Sequence, residues 1–278
     1  MLPKDLVVLI EEEEGRQSRL EFAATLAALW QAHLIATFVV ARLDLNRHAG
    51  FAVGSGLAHM LQNYWSQVAC AKAETKEIFD TLLSGRGLVG EWRISENESP
   101  EELMLHARHA SLAIVGPPSR GDRAMTTLGL SESVIVGSGR PTILLPTNWP
   151  AERIARRIVI GWNGGREATR AIADAMPFLM SAEAVHLVVV PEAKAQGLYG
   201  AEPGADMAHH LVRHGVAVDL NQYNGTDAGS VLLDRCRSSD ADMLVIGAVG
   251  RSRIGEFIFG GATRTILGNA DLPVLLSR

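Results

Sequence analysis

Cysteine is nearly absent from this chain. Two occur in 278 residues, Cys70 and Cys236, one in each half. They cannot build a disulfide framework, and a reducing cytoplasm is the expected compartment. A small buried core residue is the common role of a lone cysteine. Basic excess is also missing. The formal net charge is −5, divided as −4 over the first 150 residues and −1 over the rest. Neither part carries the positive field that a nucleic-acid partner demands. No apolar run is long enough to span a bilayer, and the chain opens on a strand pattern instead of a secretory leader. The expectation is therefore no nucleic-acid partner and no membrane. There is no Gly-x4-Gly-Lys-Ser/Thr loop and no nucleophile elbow, so no catalytic residue is assigned.

What is present reads as globular protein: 47% hydrophobic and 21% charged residues,. The length suits two domains of ordinary size. Strand patterns fall at 6–10, 34–40, 88–94, 111–115 and 141–145. A second set falls at 157–162, 184–190, 216–222, 242–246 and 273–276. Runs such as Val185–Val190 and Met243–Ile246 are apolar throughout. Strands of that kind are buried on both faces of a parallel sheet covered by helices. Helix patterns lie between them, at 16–32, 57–83, 100–109, 167–180 and 228–238, and one precedes each last strand. The fold class is α/β, with two tandem doubly wound parallel-sheet domains of five strands each. Pro146-Thr-Asn-Trp-Pro150 divides them, giving domains 1–150 and 151–278. Residues 41–56 and 191–204 read as longer loops that could cover a site.

The two halves also align. At an offset of 131, Gly116 falls on Gly247, Ser119 on Gly250, Gly129 on Gly260 and Leu130 on Gly261. At an offset of 152 the first strands coincide. This is a duplicated domain, not a short solenoid repeat. Only the second copy keeps its glycines: Gly247-Ala-Val-Gly250, nine residues, then Gly260-Gly-Ala-Thr263. A strand that ends in glycine and leads to a helix start can turn its N–H groups toward an anion. Arg251, Arg253 and Arg264 lie in or beside the segment. The motif points to a nucleotide or another phosphorylated small molecule, at most one per chain. The first copy has Glu11-Glu-Glu-Glu14 at the end of its first strand and Pro117-Pro118 after Gly116. The carboxylates repel polyphosphate and the prolines lack N–H groups. The same acidic run also reads as a solvated helix start, placed where the dipole favours it.

Other clusters read as structural. His209, His210 and His214 lack partners at ligand spacing, so no metal is assigned. Asp227 reads as a helix start and Asp242 as a strand-entry residue. The tryptophans read as packing residues. Trp162 is set apart because it neighbours Asn163 at the mouth of the second sheet.

Gly-x2-Gly-x9-Gly with a small residue, a short helix and the strand Pro273-Val-Leu-Leu276 resembles the universal stress protein family. The whole chain looks like a tandem member. The resemblance implies a stress-related regulatory protein that binds an adenine nucleotide (ATP, ADP or AMP), with or without Mg, in its second domain. It implies slow hydrolysis at most. It carries phosphate contacts to Gly247, Gly250, Gly260, Gly261 and Ala262, nucleoside contact to Asn163, and base contact to Val189; Arg251 and Thr263, beside the glycines, are assigned to the same nucleotide site. Gly261 stands where a hydroxyl is usual, and Asn163 where an Asp is usual. The resemblance also implies an intramolecular pseudo-dimer, Thr142–Leu145 antiparallel to Val274–Ser277, with homodimerisation as a further expectation. A nucleotide-free interaction and dimerisation module, and an enzyme acting on a phosphorylated metabolite, are the alternatives.

Overall fold

The structure is a computed structural model. It describes residues 2–40, 55–96, 100–118, 129–191, 202–248, 250–253 and 256–278, with the backbone path alone over 250–253 and 256–258. Most of both long loops, Ser119, and the side chains of Arg251 and Arg253 lie outside the described residues.

The first half runs β1 (Asp5–Ile10), α1 (Arg16–Trp30), β2 (His33–Val40), α2 (Ser55–Arg86), β3 (Gly90–Glu96), α3 (Pro100–Arg108), β4 (Leu112–Val115), α4 (Leu130–Gly137) and β5 (Thr142–Leu144). The second runs β6 (Arg157–Trp162), α5 (Arg166–Leu179), β7 (Ala184–Val189), α6 (Ala205–Arg213), β8 (Val218–Gln222), α7 (Ala228–Ser238), β9 (Met243–Gly247), β10 (Gly250–Arg253), β11 (Glu256–Phe259), α8 (Gly261–Asn269) and β12 (Val274–Ser277). The apolar runs are strands, as expected. β1, β4, β9 and β12 are buried almost end to end, because helices cover both faces,.

Ten strands form one sheet in the order β3-β2-β1-β4-β5-β12-β9-β6-β7-β8. The order in each half is the same when read from the centre outward. All pairings are parallel except β5 with β12, where Val274 faces Leu144, Leu275 faces Ile143 and Leu276 faces Thr142. The two halves therefore join edge to edge through the strands that the sequence leaves bare. A strand with open N–H and C=O groups on one side is satisfied by an antiparallel partner of the same kind. The Trp30 ring meets Phe178 across the halves, with centroids 4.8 Å apart.

One element departs from the sequence reading. The nine-residue spacer between Gly250 and Gly260 is not a plain loop. β10 and β11 pair as an antiparallel hairpin, Gly250 opposite Phe259 and Arg253 opposite Glu256. Gly250 is thus the first residue of a strand as well as part of a glycine motif.

Candidate functional site

The carboxyl ends of β6 and β9 are adjacent at the centre of the second half, where the chain winds outward in both directions. Ligands of open α/β sheets lie at such a switch point. A cavity of about 570 Å³ opens there. Its floor comes from Gly161, Trp162, Asn163, Ile246 and Gly247 at the strand ends. Its walls come from Val188, Val190, Leu232 and Phe259, and one side is the first turn of α8, Gly260 to Thr263.

The three helices that start at this cavity end their first turns differently. α7 is closed by Asp227, whose carboxylate accepts the N–H groups of Gly229 (3.3 Å) and Ser230 (3.1 Å). Its hydrogen bond from the Ser230 hydroxyl, foremost, holds the Asp227 carboxyl below the usual carboxylate range. Asp227 is the helix start that the sequence indicates. α5 follows a tight turn in which Gly164 adopts φ +70°, a left-handed conformation that favours glycine,. α8 begins at Gly260, which has no side chain with which to cap it. The leading N–H groups of a helix have no intrahelical acceptor. Those of Gly261, Ala262 and Thr263 border the cavity, and the helix dipole adds a positive end,. Among the described residues that line the cavity, no side chain is charged.

Asn163 has a more restricted role than its chemistry alone suggests. Its Oδ1 accepts the Gly165 N–H at 3.0 Å. That bond fixes the amide in the turn before α5 and leaves both Nδ2 donors, with the second lone pair of Oδ1, for a ligand. Gly247 has a packing role. A Cβ there would collide with the backbone nitrogen of Ala168 and the carbonyl carbon of Glu167, so glycine lets α5 seat against the end of β9. Gly261 is the opposite case, exposed and with no atom within 4 Å of a Cβ built on it.

The structure brings Asn163, Gly247, Gly260, Gly261, Ala262 and Thr263 to one cavity. Val189 lies beside it. Side chains alternate along a strand, and Val188 and Val190 take the cavity side,. Val189 packs toward Gly204, and its carbonyl accepts the Tyr223 N–H at 3.0 Å. Gly250 and Arg251 belong to the hairpin strand β10. Trp162 does line the cavity.

The equivalent place in the first half is filled differently. Arg19, from α1, is buried and lies over Gly116 at the end of β4. It pairs with Glu13, Nη1 to Oε1 at 2.5 Å. The Glu11–Glu14 run is not a first turn: α1 has Gly15 as its N-cap and no acidic residue in its opening turn. Glu13 turns to Arg19. The Tyr64 hydroxyl is raised above its ordinary pKa by burial first, then by Glu12 and Glu11. Helix periodicity puts residue 19 on the covered face of α1, but the sequence gives no reason for an arginine to be buried there.

Elsewhere, Cys236 is buried, which pushes its thiol up to about 12 and leaves little thiolate,. Cys70 is exposed, against the expectation of a core cysteine, and its thiol is raised by its hydrogen bond to Glu74. His209, His210 and His214 are exposed, and among the described residues no three potential metal ligands gather. Asp242 is buried, and its Oδ1 accepts the Arg157 N–H at 2.8 Å, as a strand-entry residue should.

Residues 154–278 match the model of the universal stress protein family. That segment, somewhat under half of the chain, is what this protein shares with the family. A universal stress protein of Mycolicibacterium smegmatis is 36% identical over 70 residues, which are 25% of this chain. The match spans about half of that relative's own length, 54%. A universal stress protein from Archaeoglobus fulgidus DSM 4304 superposes with a TM-score of 0.70 at 15% identity, covering 98% of each chain. A protein of unknown function from Pseudomonas aeruginosa PAO1 superposes at 0.64 and 16% identity, covering 99% of this chain and 92% of its own. At such identities these structures speak for the fold over the whole length. Among the described residues no helix is long and apolar enough to cross a membrane.

Proposed function

We propose that this protein is a cytoplasmic, stress-related regulatory protein that binds one adenine nucleotide in its second half. The observation that carries the reading is the uncapped start of α8 at Gly260, opening on a cavity with otherwise apolar walls. In this reading the N–H groups of Gly261, Ala262 and Thr263 receive a phosphate. Gly250 and Arg251 approach it from the hairpin. Asn163 donates to the nucleoside. The base lies against the Val188–Val190 segment, so that Val188 and Val190 do what the sequence assigns to Val189.

Residues 1–150 and 151–278 are, in the same reading, separate domains, the first without nucleotide. Mg, where present, arrives with the nucleotide, because no carboxylate lines the cavity among the described residues. Among the described residues that line the cavity none can serve as a general base, so in this reading the site binds more than it turns over,. The test is a mass spectrum of the supernatant from denatured, purified protein. An adenine nucleotide is expected. A protein that carries none and takes up none on addition contradicts the reading and favours a nucleotide-free interaction module.

A further inference from the structure

Among the described residues Arg19 is the largest fully buried side chain, with 1% of its surface exposed. A guanidinium has five N–H donors. Nη1 uses its own on Glu13 Oε1 at 2.5 Å and the Leu9 carbonyl at 3.3 Å. Nε and Nη2 are buried and have no hydrogen-bond partner among the described residues. The unused donors are not scattered. Nε and Nη2 form one edge of the planar group, the edge that takes two oxygens side by side. Leaving such an edge empty in the interior is costly, because buried charged donors lose their water.

The position adds a second feature. Nη2 lies where a Cβ on Gly116 would be, at the carboxyl end of β4. The Gly116 carbonyl accepts the Ser131 hydroxyl at 2.7 Å, which brings the first turn of α4 onto the same spot. α4 starts at Gly129 with no side-chain cap. A helix start and a free guanidinium edge therefore converge on Gly116, between β1 and β4, the switch point of the first half,.

We propose that the first half holds a small oxyanion, with two oxygens against the Nε–Nη2 edge of Arg19, at the carboxyl end of β4. The ligand is a carboxylate or phosphate group and not a whole nucleotide, because the Arg19–Glu13 pair occupies the crevice and Pro117 and Pro118 give it no N–H. This site is independent of the cavity in the second half.

The test uses the full chain with 15N-labelled arginine and follows the Arg19 Nε–H resonance by NMR. Inorganic phosphate and acetate are titrated separately. A saturable shift of that resonance with phosphate, or with acetate, is expected, and which anion does it names the class. The signal is local to Arg19, so nucleotide binding in the second half neither produces nor hides it. Arg19→Lys keeps the charge beside Glu13 and removes the fork. Its melting temperature is expected to lose the rise that the effective anion gives the wild type, with affinity down by about tenfold or more, the scale of a charge-assisted hydrogen bond. An Arg19 Nε–H resonance indifferent to saturating phosphate and acetate overturns the proposal. So does an Arg19→Lys variant stabilised as strongly as the wild type.

Discussion

Trp30 and Phe178 come from opposite halves of the chain, yet their ring centroids are 4.8 Å apart at a 59° tilt. Both are buried at the ends of helices, α1 and α5, that run along corresponding parts of the two halves. The contact ties the helical layers together beside the strand seam. Trp30→Ala and Phe178→Ala are each expected to destabilise the chain by about 3–5 kcal/mol, the range for large aromatic truncations. The double variant should cost less than the sum by about 0.5–1.5 kcal/mol, the pair's own interaction. Urea unfolding of the four proteins measures this. Strict additivity would show that the rings do not meet.

The seam itself is Thr142–Leu144 against Val274–Leu276. β12 is bonded on both sides, to β5 and to β9. Proline at Leu275 removes a donor and forces a ring into the middle of the sheet, and proline at Leu144 does so on the other side of the seam. Both variants are expected to melt well below wild type and to run as expanded species in size-exclusion chromatography. Wild-type melting and compactness in both would mean that the halves meet some other way.

Two glycines of one motif should respond in opposite ways. Gly247→Ala drives a methyl into the backbone of α5 and is expected to cost about 1–3 kcal/mol, the usual range for overpacking. Gly261→Ser places its hydroxyl in open space at the start of α8. It should leave stability nearly unchanged and tighten nucleotide binding by about 0.5–1.5 kcal/mol, the net value of one hydrogen bond. Melting curves and calorimetry separate the two effects. A Gly247→Ala protein as stable as wild type would remove the packing role.

Much of this fold was legible because fully apolar runs bounded by glycine and proline have few other uses. The same feature hid the register. Val185-His-Leu-Val-Val-Val190 shows no polar alternation at its end, so sequence alone cannot say whether Val188 or Val189 faces the cavity. Residues 250–253 give no strand signal because Gly-Arg-Ser-Arg has no apolar alternation, yet their backbone forms β10. Arg19 follows helix periodicity in α1, and only the missing side chain of Gly116, nearly a hundred residues away, gives it room. Gly247 was legible as special, but the reason lay in Glu167 and Ala168, which only the three-dimensional arrangement brings to it.

His186 gives a pH dependence with a defined sign. Burial, and then the Arg235 guanidinium at 3.2 Å from Nδ1, hold its pKa below the ordinary value, and Asp219 opposes them weakly. The unfolded chain then takes up the proton more readily than the folded one. Stability is expected to fall as pH drops below about 6.5, the unperturbed histidine value, toward the lower folded pKa. His186→Gln should flatten that part of the profile. Equal slopes for the two proteins between pH 7 and 5 would show that His186 does not carry it.

The most direct measurement is calorimetric titration of the full chain with AMP, ADP and ATP, beside a Gly260→Val variant. A side chain at Gly260 blocks the approach to the uncapped N–H groups of α8, and the glycine's extended conformation, φ −61° and ψ 161°, lets valine take its place without backbone strain. The expected result is one adenine-nucleotide site per chain in the wild type and none in the variant, with both proteins folded by circular dichroism. Binding that survives intact in folded Gly260→Val, or two sites per chain, would contradict a single nucleotide held at the start of α8.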